Sequence, residues 1–235
     1  MALKFGKSNR ISTHRWVCYD AIRNHQRADA MPSIPQILQS MTNRLVIVTV
    51  LVYFLQSTVF AGRFTGGELF GWQSPYFEPW QLMTHVFLHG SVTHLLFNMI
   101  ALWSFGRVLE RVWGNQRFLV FYLVCGFGAA VVSMLVDNVI LNTQFTGYMV
   151  GASGAIYGIL MAFTLLFPNF KIMLIFLPVP IAAKYFVPVI LLIDLTAGFT
   201  GVSIFGQNIA HFAHIGGAIV GAVLVFWWSA QSARK

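Results

Sequence analysis

FLVFYLVCGFGAAVVSMLV, residues 118–136, is an uninterrupted apolar run without a charged side chain. A helix of about 20 apolar residues is what crosses the ~30 Å hydrocarbon core of a bilayer. Small residues occur inside the run, at Cys125, Gly126 and Gly128, where neighbouring helices can approach closely. The stretch therefore predicts a membrane-spanning helix.

The composition of the whole chain agrees with a membrane protein. Of its 235 residues, 57% are hydrophobic and only 9% are charged, and the mean hydropathy is +0.70. Soluble domains carry about 25% charged residues, so most of this surface must face lipid. Cys18 lies in a polar segment and Cys125 in an apolar one, so no structural disulfide is expected.

Apolar runs bounded by Pro, Gly and polar residues predict six spans. They are residues 45–61, 91–105, 118–136, 153–167, 182–195 and 209–228. The expected fold class is an all-α membrane protein, a six-transmembrane-helix bundle.

The basic residues set the orientation of these spans. The 15 Lys and Arg residues lie before span one, between spans two and three, between spans four and five or at the start of span five (Lys184), and after span six, except for Arg63. The positive-inside rule therefore predicts that both termini are cytoplasmic. The net charge of +8 is explained by this orientation, and no nucleic-acid partner is expected.

Three segments are expected: a basic cytoplasmic leader (1–44), a six-span membrane domain (45–229) and a short cytoplasmic tail (230–235). No secretory signal peptide is predicted, because the first long apolar run begins only at Leu45. Residues 1–30 are either a disordered extension or the result of a misassigned start, with Met31 as the true first residue.

Four polar residues share one depth in this topology. Spans two, four and six all begin at the outer face, and near those starts lie His94, Asn98, Ser153 and His214. At 1.5 Å per residue all four fall within about 10 Å of the outer surface. Polar groups in a bilayer are costly, so their convergence predicts a functional site.

The chemistry of the four residues is that of acyl transfer. Ser153 is a nucleophile once His214 takes its proton. Ser153 also follows Gly151 and precedes Gly154 at a helix start, where backbone N–H groups are free to stabilise an oxyanion. No acidic residue lies near His214 in sequence, so a Ser–His dyad is preferred to a triad; Asp194 and Asp137 are the few acids in or beside the spans.

Small residues favour close packing of spans four and six. Gly154 and Gly158 form one small-xxx-small pair, and Gly217 and Gly221 form another. Tyr157 lies one turn below Ser153 on the same face and can pack against the imidazole. Each residue taken alone also suits a purely structural role in helix packing, and only the joint pattern is specific.

These motifs resemble those of the rhomboid intramembrane serine proteases. The matching stretches are 151–158 (GASGAIYG), 213–217 with Gly221, 84–89 (THVFLH) with 94–98 (HLLFN), and 106–110 with Gly114 and 117–119. The similarity runs from about residue 45 to 228 in the family's order and spacing.

The resemblance implies a rhomboid-like fold and a Ser153–His214 dyad. It also implies an oxyanion hole formed by His94, Asn98 and the Ser153 N–H, with Tyr157 stacked on His214. Residues 62–84 would form a loop partly in the outer leaflet, and the fifth helix would gate substrate access. One departure concerns this loop: the family often has Trp-Arg where this chain has Trp80-Gln81, so its anchoring is expected to differ.

The expected function is that of a serine endopeptidase that cleaves single-span membrane proteins near the outer face of a bacterial plasma membrane. Its partners are those substrates and the lipid bilayer, and neither a cofactor nor a metal is expected. A helix shields its own peptide bonds, so cleavage is expected where small or helix-breaking residues loosen it.

Three alternatives remain open at this point. A metal or haem protein would use His85/His89 or His211/His214, whose spacings suit shared ligation, although HExxH is absent. A catalytically inactive relative would bind or escort membrane clients. A transporter would need a proton-relay carboxylate deep in the membrane.

Overall fold

A computed structural model describes residues 38–60, 63, 65–141, 147–174, 177–201 and 210–233. Several sequence predictions fall outside these ranges: residues 1–37 of the leader with the alternative start at Met31, positions 61, 62 and 64 near the start of the outer loop, the start of span six at 209, and residues 234–235 of the tail. Residues Ser40–Lys235 belong to one compact unit, which carries all of the elements described below.

The described part of this unit is mainly helical. Its α-helices are α1 (Met41–Thr58), α2 (Gln81–Thr84), α3 (Val92–Ala101), α4 (Arg107–Trp113), α5 (Asn115–Leu135), α6 (Ser153–Leu166), α7 (Ala183–Thr200) and α8 (His211–Ala233). A 3₁₀ turn at His85–Phe87 follows α2, and π-helical segments at Leu102–Gly106 and Val136–Ile140 join α3 to α4 and extend α5.

Within the described residues, five helical segments are long and apolar enough to cross a membrane. They are Met41–Thr58, Val92–Trp113, Asn115–Ile140, Ala183–Thr200 and His211–Ser232. The remaining predicted span, span four at residues 153–167, corresponds to α6, an apolar helix of only 14 residues. Large apolar side chains on the outer faces, such as Phe54, Leu192 and Phe226, are more than 60% exposed, as a lipid-facing surface requires. The predicted helical membrane bundle is confirmed.

The helix bounds differ from the apolar runs. The second span continues to Trp113, well past the predicted end at 105, because the charged residues after Gly106 stay helical in α4. Likewise α7 runs on to Thr200, beyond the predicted end at 195. Hydropathy marks which residues prefer lipid, whereas a helix ends where its backbone finds a cap, here Gly201 in the left-handed conformation.

The centre of the bundle is α6, which packs against α5 and α8. Lipid gives no hydrophobic drive for helices to associate, so close backbone approach must supply the packing energy. A Cβ added to Gly217 would lie 1.9 Å from the Gly154 carbonyl oxygen, and one added to Gly221 would lie 2.7 Å from that of Gly158. Glycine is thus required on α8 at this crossing.

A polar cluster joins the start of α1 to α4. The buried Glu110 carboxylate accepts hydrogen bonds from the Ser40 hydroxyl (2.8 Å), the Met41 amide, and both the amide and the hydroxyl of Thr42 (3.0 and 2.6 Å). The first amides of a helix have no intrahelical acceptor and favour a negative charge. Glu110 therefore caps α1 from another helix.

The segment between α1 and α3 is anchored by Gln81. Its buried side chain accepts a hydrogen bond from the Phe70 amide (3.2 Å) and donates one to the Tyr76 carbonyl (2.8 Å), while the Trp80 indole donates to the Gly66 carbonyl (3.0 Å). Trp80 and Gln81, the pair that stands where Trp-Arg was expected, therefore anchor this segment through these hydrogen bonds.

Two small antiparallel pairs complete the described elements. Strand β1 (Leu69–Phe70) pairs with β2 (Tyr148–Met149), with Leu69 opposite Met149. Strand β3 (Lys171–Leu174) pairs with β4 (Leu177–Ala182) between α6 and α7. The first pair connects the Gln81-anchored segment to the residues that immediately precede α6.

Candidate active site

Ser153 is the first residue of α6, and the short length of this helix determines its depth. Fourteen residues span about 21 Å, some 9 Å less than a ~30 Å hydrocarbon core. With Leu166 at one membrane surface, Ser153 would lie roughly 9 Å below the other. In that placement the half-buried serine would be recessed below the membrane surface.

The hydroxyl of Ser153 is paired with an imidazole from α8. The distance from Ser153 Oγ to His214 Nε2 is 2.8 Å, and His214 is only 8% exposed. The Tyr157 ring lies parallel to the His214 ring, with centroids 4.2 Å apart and an interplanar angle of 5°. Stacking on one face and a hydrogen bond at Nε2 together restrict the orientation of this imidazole.

The other nitrogen of His214 faces a buried acid. His214 Nδ1 lies 3.0 Å from Asp194 Oδ1, and Asp194, on α7, is only 1% exposed. His211 Nδ1 lies 2.7 Å from the same oxygen, so two imidazoles of α8 share one carboxylate. The site therefore contains a continuous Ser153–His214–Asp194 chain of hydrogen bonds.

The opposite side of Ser153 is formed by α3 and the turn before α6. Ser91 caps α3 by accepting a hydrogen bond from the His94 amide at 3.1 Å, which sets His94 in the first turn and Asn98 one turn later. Asn98 is buried, and within the described residues its Nδ2 makes no hydrogen bond. It is a donor available for a ligand.

Gly151 holds the turn against these two side chains. Its φ of +126° is one that side chains rarely allow, and an added Cβ would lie 2.8 Å from His94 Nε2 and 3.8 Å from Asn98 Nδ2. The Gly151 amide donates to the His85 carbonyl at 2.9 Å, which ties the turn to the segment after α2. Glycine is therefore what lets the backbone approach His94 and Asn98.

Together these groups have the geometry of a hydrolase site. Ser153 Oγ can pass its proton to His214 Nε2 and attack a carbonyl carbon, since the nucleophile and base are already within hydrogen-bond distance. The first amides of α6 have no intrahelical acceptor, and the Asn98 Nδ2 makes no hydrogen bond within the described residues, so both are donors of the kind that stabilise a developing oxyanion.

The described residues also contain one trio with the donor set of a metal site. One ligand atom each from Asp194, His211 and His214 lie within 4.8 Å of one another. Both Nδ1 atoms, however, lie at hydrogen-bond distance from a single carboxylate oxygen, an arrangement that two N–H protons satisfy. The other histidine pair of the metal hypothesis, His85 and His89, has two different sets of contacts. His85 Nδ1 lies 2.9 Å from the Gln81 carbonyl oxygen, and the His89 ring packs against the His94 ring.

The structure thus brings together every residue that sequence analysis assigned to the site: Ser153, His214, His94, Asn98, Tyr157, Gly151 and Gly154, with Gly158, Gly217 and Gly221 at the crossing of α6 and α8. Sequence reasoning missed the contacts of Asp194 and His211. The signal for Asp194 was its depth, because it lies near the outer end of its span, but it is distant from His214 in sequence.

Comparison with known proteins identifies relatives of the chain. A family model described as the rhomboid domain matches residues 76–231, a segment that includes all of the residues of the site. Rhomboid protease AarA of Providencia stuartii is 33% identical over 208 residues, which is 79% of this chain and 71% of that protein.

Two further relatives are longer proteins. Rhomboid protease GluP of Bacillus subtilis is 38% identical over 146 residues, 61% of this chain and 25% of that protein. Rhomboid protein 1, mitochondrial, of Saccharomyces cerevisiae is 32% identical over 149 residues, 63% of this chain and 41% of that protein. The chain therefore matches less than half the length of these two relatives.

Proposed function

The chain belongs to the rhomboid family, and from this premise we propose that it is an intramembrane serine endopeptidase that cleaves transmembrane protein substrates. The observation that carries the proposal is the 2.8 Å contact between Ser153 Oγ and His214 Nε2 at the recessed start of a short helix. In acyl transfer an imidazole activates a hydroxyl as nucleophile, and nearby amide donors stabilise the oxyanion that forms.

The proposed reaction has two halves. In the first, Ser153 Oγ gives its proton to His214 Nε2 and bonds to the substrate carbonyl carbon. The charged oxygen is stabilised by His94, Asn98 and the Ser153 amide. His214 then returns the proton to the leaving nitrogen, the peptide bond breaks, and an ester on Ser153 remains. In the second half, water attacks the ester carbon while His214 takes its proton. His214 then gives that proton to Ser153 Oγ as the Oγ–C bond breaks, which releases the new carboxyl terminus and restores the serine.

The substrates in this proposal are single-span proteins cut near the outer face of the membrane. A 14-residue α6 with its far end at one membrane surface would start below the other surface, so the scissile bond must leave its own helix to reach Ser153. Segments with small or helix-breaking residues can do so at the least cost, whereas a regular apolar helix keeps its peptide bonds shielded.

Both termini are proposed to lie on the cytoplasmic side of a bacterial plasma membrane. The distribution of Lys and Arg supports this orientation. Cysteine labelling of intact cells tests it, in a chain whose Cys18 and Cys125 are replaced by Ser: Arg63→Cys should react with an impermeant reagent added outside, and Lys171→Cys should react only after the cells are opened.

The activity is tested by reconstitution in lipid vesicles with a model single-span substrate. The wild-type chain should cleave it near the outer face, and Ser153→Ala and His214→Ala should each reduce the rate by at least about 1,000-fold. Undiminished cleavage by either variant, or no cleavage by the wild type, would contradict the proposal; client binding without cleavage would instead favour the inactive-relative hypothesis.

A small fluorophosphonate gives an independent measure of nucleophile activation. It should label Ser153 in the wild-type chain and fail to label Ser153→Ala. Metal analysis of the same preparation addresses the remaining alternative, because stoichiometric zinc or iron would favour a metal protein that uses the Asp194, His211 and His214 trio.

A further inference from the structure

We propose that Asp194 is a positioning residue for His214, so that this chain operates a Ser153–His214–Asp194 relay rather than a bare dyad. The inference rests on the proposed protease function and goes beyond it, because it gives a role to a carboxylate on a third helix.

The tautomer of His214 decides which of its ring nitrogens can act as the base. To accept the Ser153 proton, Nε2 must carry a free lone pair, and the ring proton must then sit on Nδ1. Asp194 Oδ1 lies 3.0 Å from that Nδ1 and is suited to accept its hydrogen bond. A neutral imidazole held in this way presents the correct nitrogen to the 2.8 Å contact with Ser153.

The positive charge that forms on His214 must also be balanced. When Ser153 transfers its proton, His214 becomes a cation in a buried site, where water can stabilise it little. A carboxylate 3.0 Å away compensates that charge at the moment it forms. The stacked Tyr157 ring restrains the orientation of the imidazole but offers no full negative charge.

His211 explains how the carboxylate itself is held. Its Nδ1 lies 2.7 Å from the same Oδ1, and both Asp194 and His211 are buried, at 1% and 8% exposure. A buried carboxylate is tolerated when donors surround it, and its position becomes fixed when those donors lie on one rigid helix. His211 and His214, both on α8, therefore hold Asp194 in the geometry that the base requires.

The competing explanation is that Asp194 only attaches α7 to α8. The two roles differ in what they affect. A loosened α7 would alter how a transmembrane substrate reaches the site and would change KM or stability. A misoriented base would lower kcat and would slow the reaction of Ser153 even with a small reagent that needs no helix to move.

The experiment compares Asp194→Asn with the wild type in lipid vesicles, with kcat, KM and the rate of fluorophosphonate labelling measured on folded protein. Asparagine keeps the size of the side chain but removes the negative charge. The expected result is a fall in kcat of about 100-fold or more with KM within twofold, and a parallel fall in labelling. Thr196→Ala, an exposed change on the same helix, is the matched control and should leave all three quantities unchanged.

The inference is overturned if Asp194→Asn keeps kcat and labelling within about threefold of wild type, or if only KM and thermal stability change. Asp194→Glu provides the second variant, since it retains the carboxylate: it should be at least about tenfold faster than Asp194→Asn, and an equal rate would count against the relay. These outcomes are separate from failure of the protease proposal, in which the wild type itself would not cleave or Ser153→Ala would remain active.

Discussion

Two buried carboxylates illustrate how one functional group acquires different roles in this bundle. Glu110, on α4, is surrounded by hydroxyls and backbone amides at the start of α1. Asp194, on α7, faces the imidazoles of two histidines. Both are buried and both accept several hydrogen bonds.

The two carboxylates differ in the hydrogen-bond donors that surround them. The groups around Glu110 keep their protons at all ordinary pH values, so its bonds serve to hold α1 against α4. The imidazoles around Asp194 can gain and lose protons, and one of them also contacts a serine hydroxyl. Glu110 is therefore expected to control stability and Asp194 to control reaction rate, and each of the following changes tests that division.

The largest effect is expected from Glu110→Ala. Removing the carboxylate leaves the Met41 and Thr42 amides and two hydroxyls without their acceptor, which should cost about 3 kcal/mol of unfolding free energy. Unfolding in mixed micelles measures this loss, with Glu110→Gln as the size-matched control of intermediate stability. The kcat of the folded fraction should stay within about twofold of wild type, and a large loss of kcat at unchanged stability would reverse the division.

A smaller effect is expected from Thr42→Val. Valine keeps the shape of threonine but removes the hydroxyl that donates to Glu110 at 2.6 Å, while the amide bond from the same residue remains. The expected cost is about 1 kcal/mol of unfolding free energy, with no change in cleavage rate. Stability equal to the wild type would show that the Glu110 cluster holds α1 through its backbone amides alone.

The smallest effect is expected from Gly198→Ala, one turn beyond Asp194. The added Cβ would lie 2.8 Å from the Phe212 ring of α8, so α7 and α8 must shift apart by a few tenths of an ångström. Alanine is also a better helix former than glycine, so stability should not fall. A reduction in kcat of about threefold, measured in vesicles, is the expected sign that Asp194 has moved relative to His214; an unchanged rate would mean that this contact tolerates the shift.

Much of the architecture was predictable from local sequence. The apolar run at 118–136 and the low charge content predicted a helical membrane bundle, which is confirmed, and the motifs around Ser153 and His214 predicted membership of the rhomboid family, which is also confirmed. Helix ends were predicted less well, because the charged residues of α4 continue a helix past the point where hydropathy falls. Capping and tertiary contacts decide such ends.

The sequence by itself determined the solvent of this protein and predicted a common depth for its polar residues, because hydropathy and the positions of basic residues can be read without knowing any contact between segments. It predicted that Ser153, His94, Asn98 and His214 lie at one depth in the membrane, without showing which of these side chains are in contact. Only the tertiary structure decided that His211 and the proposed base His214 share one carboxylate oxygen of Asp194. It also decided that Gln81 and Glu110 tie separate segments together. The physical reason is that a hydrogen bond between two helices depends on how the helices are rotated and where they cross. Side-chain packing across the whole bundle sets that geometry, and no single segment encodes it.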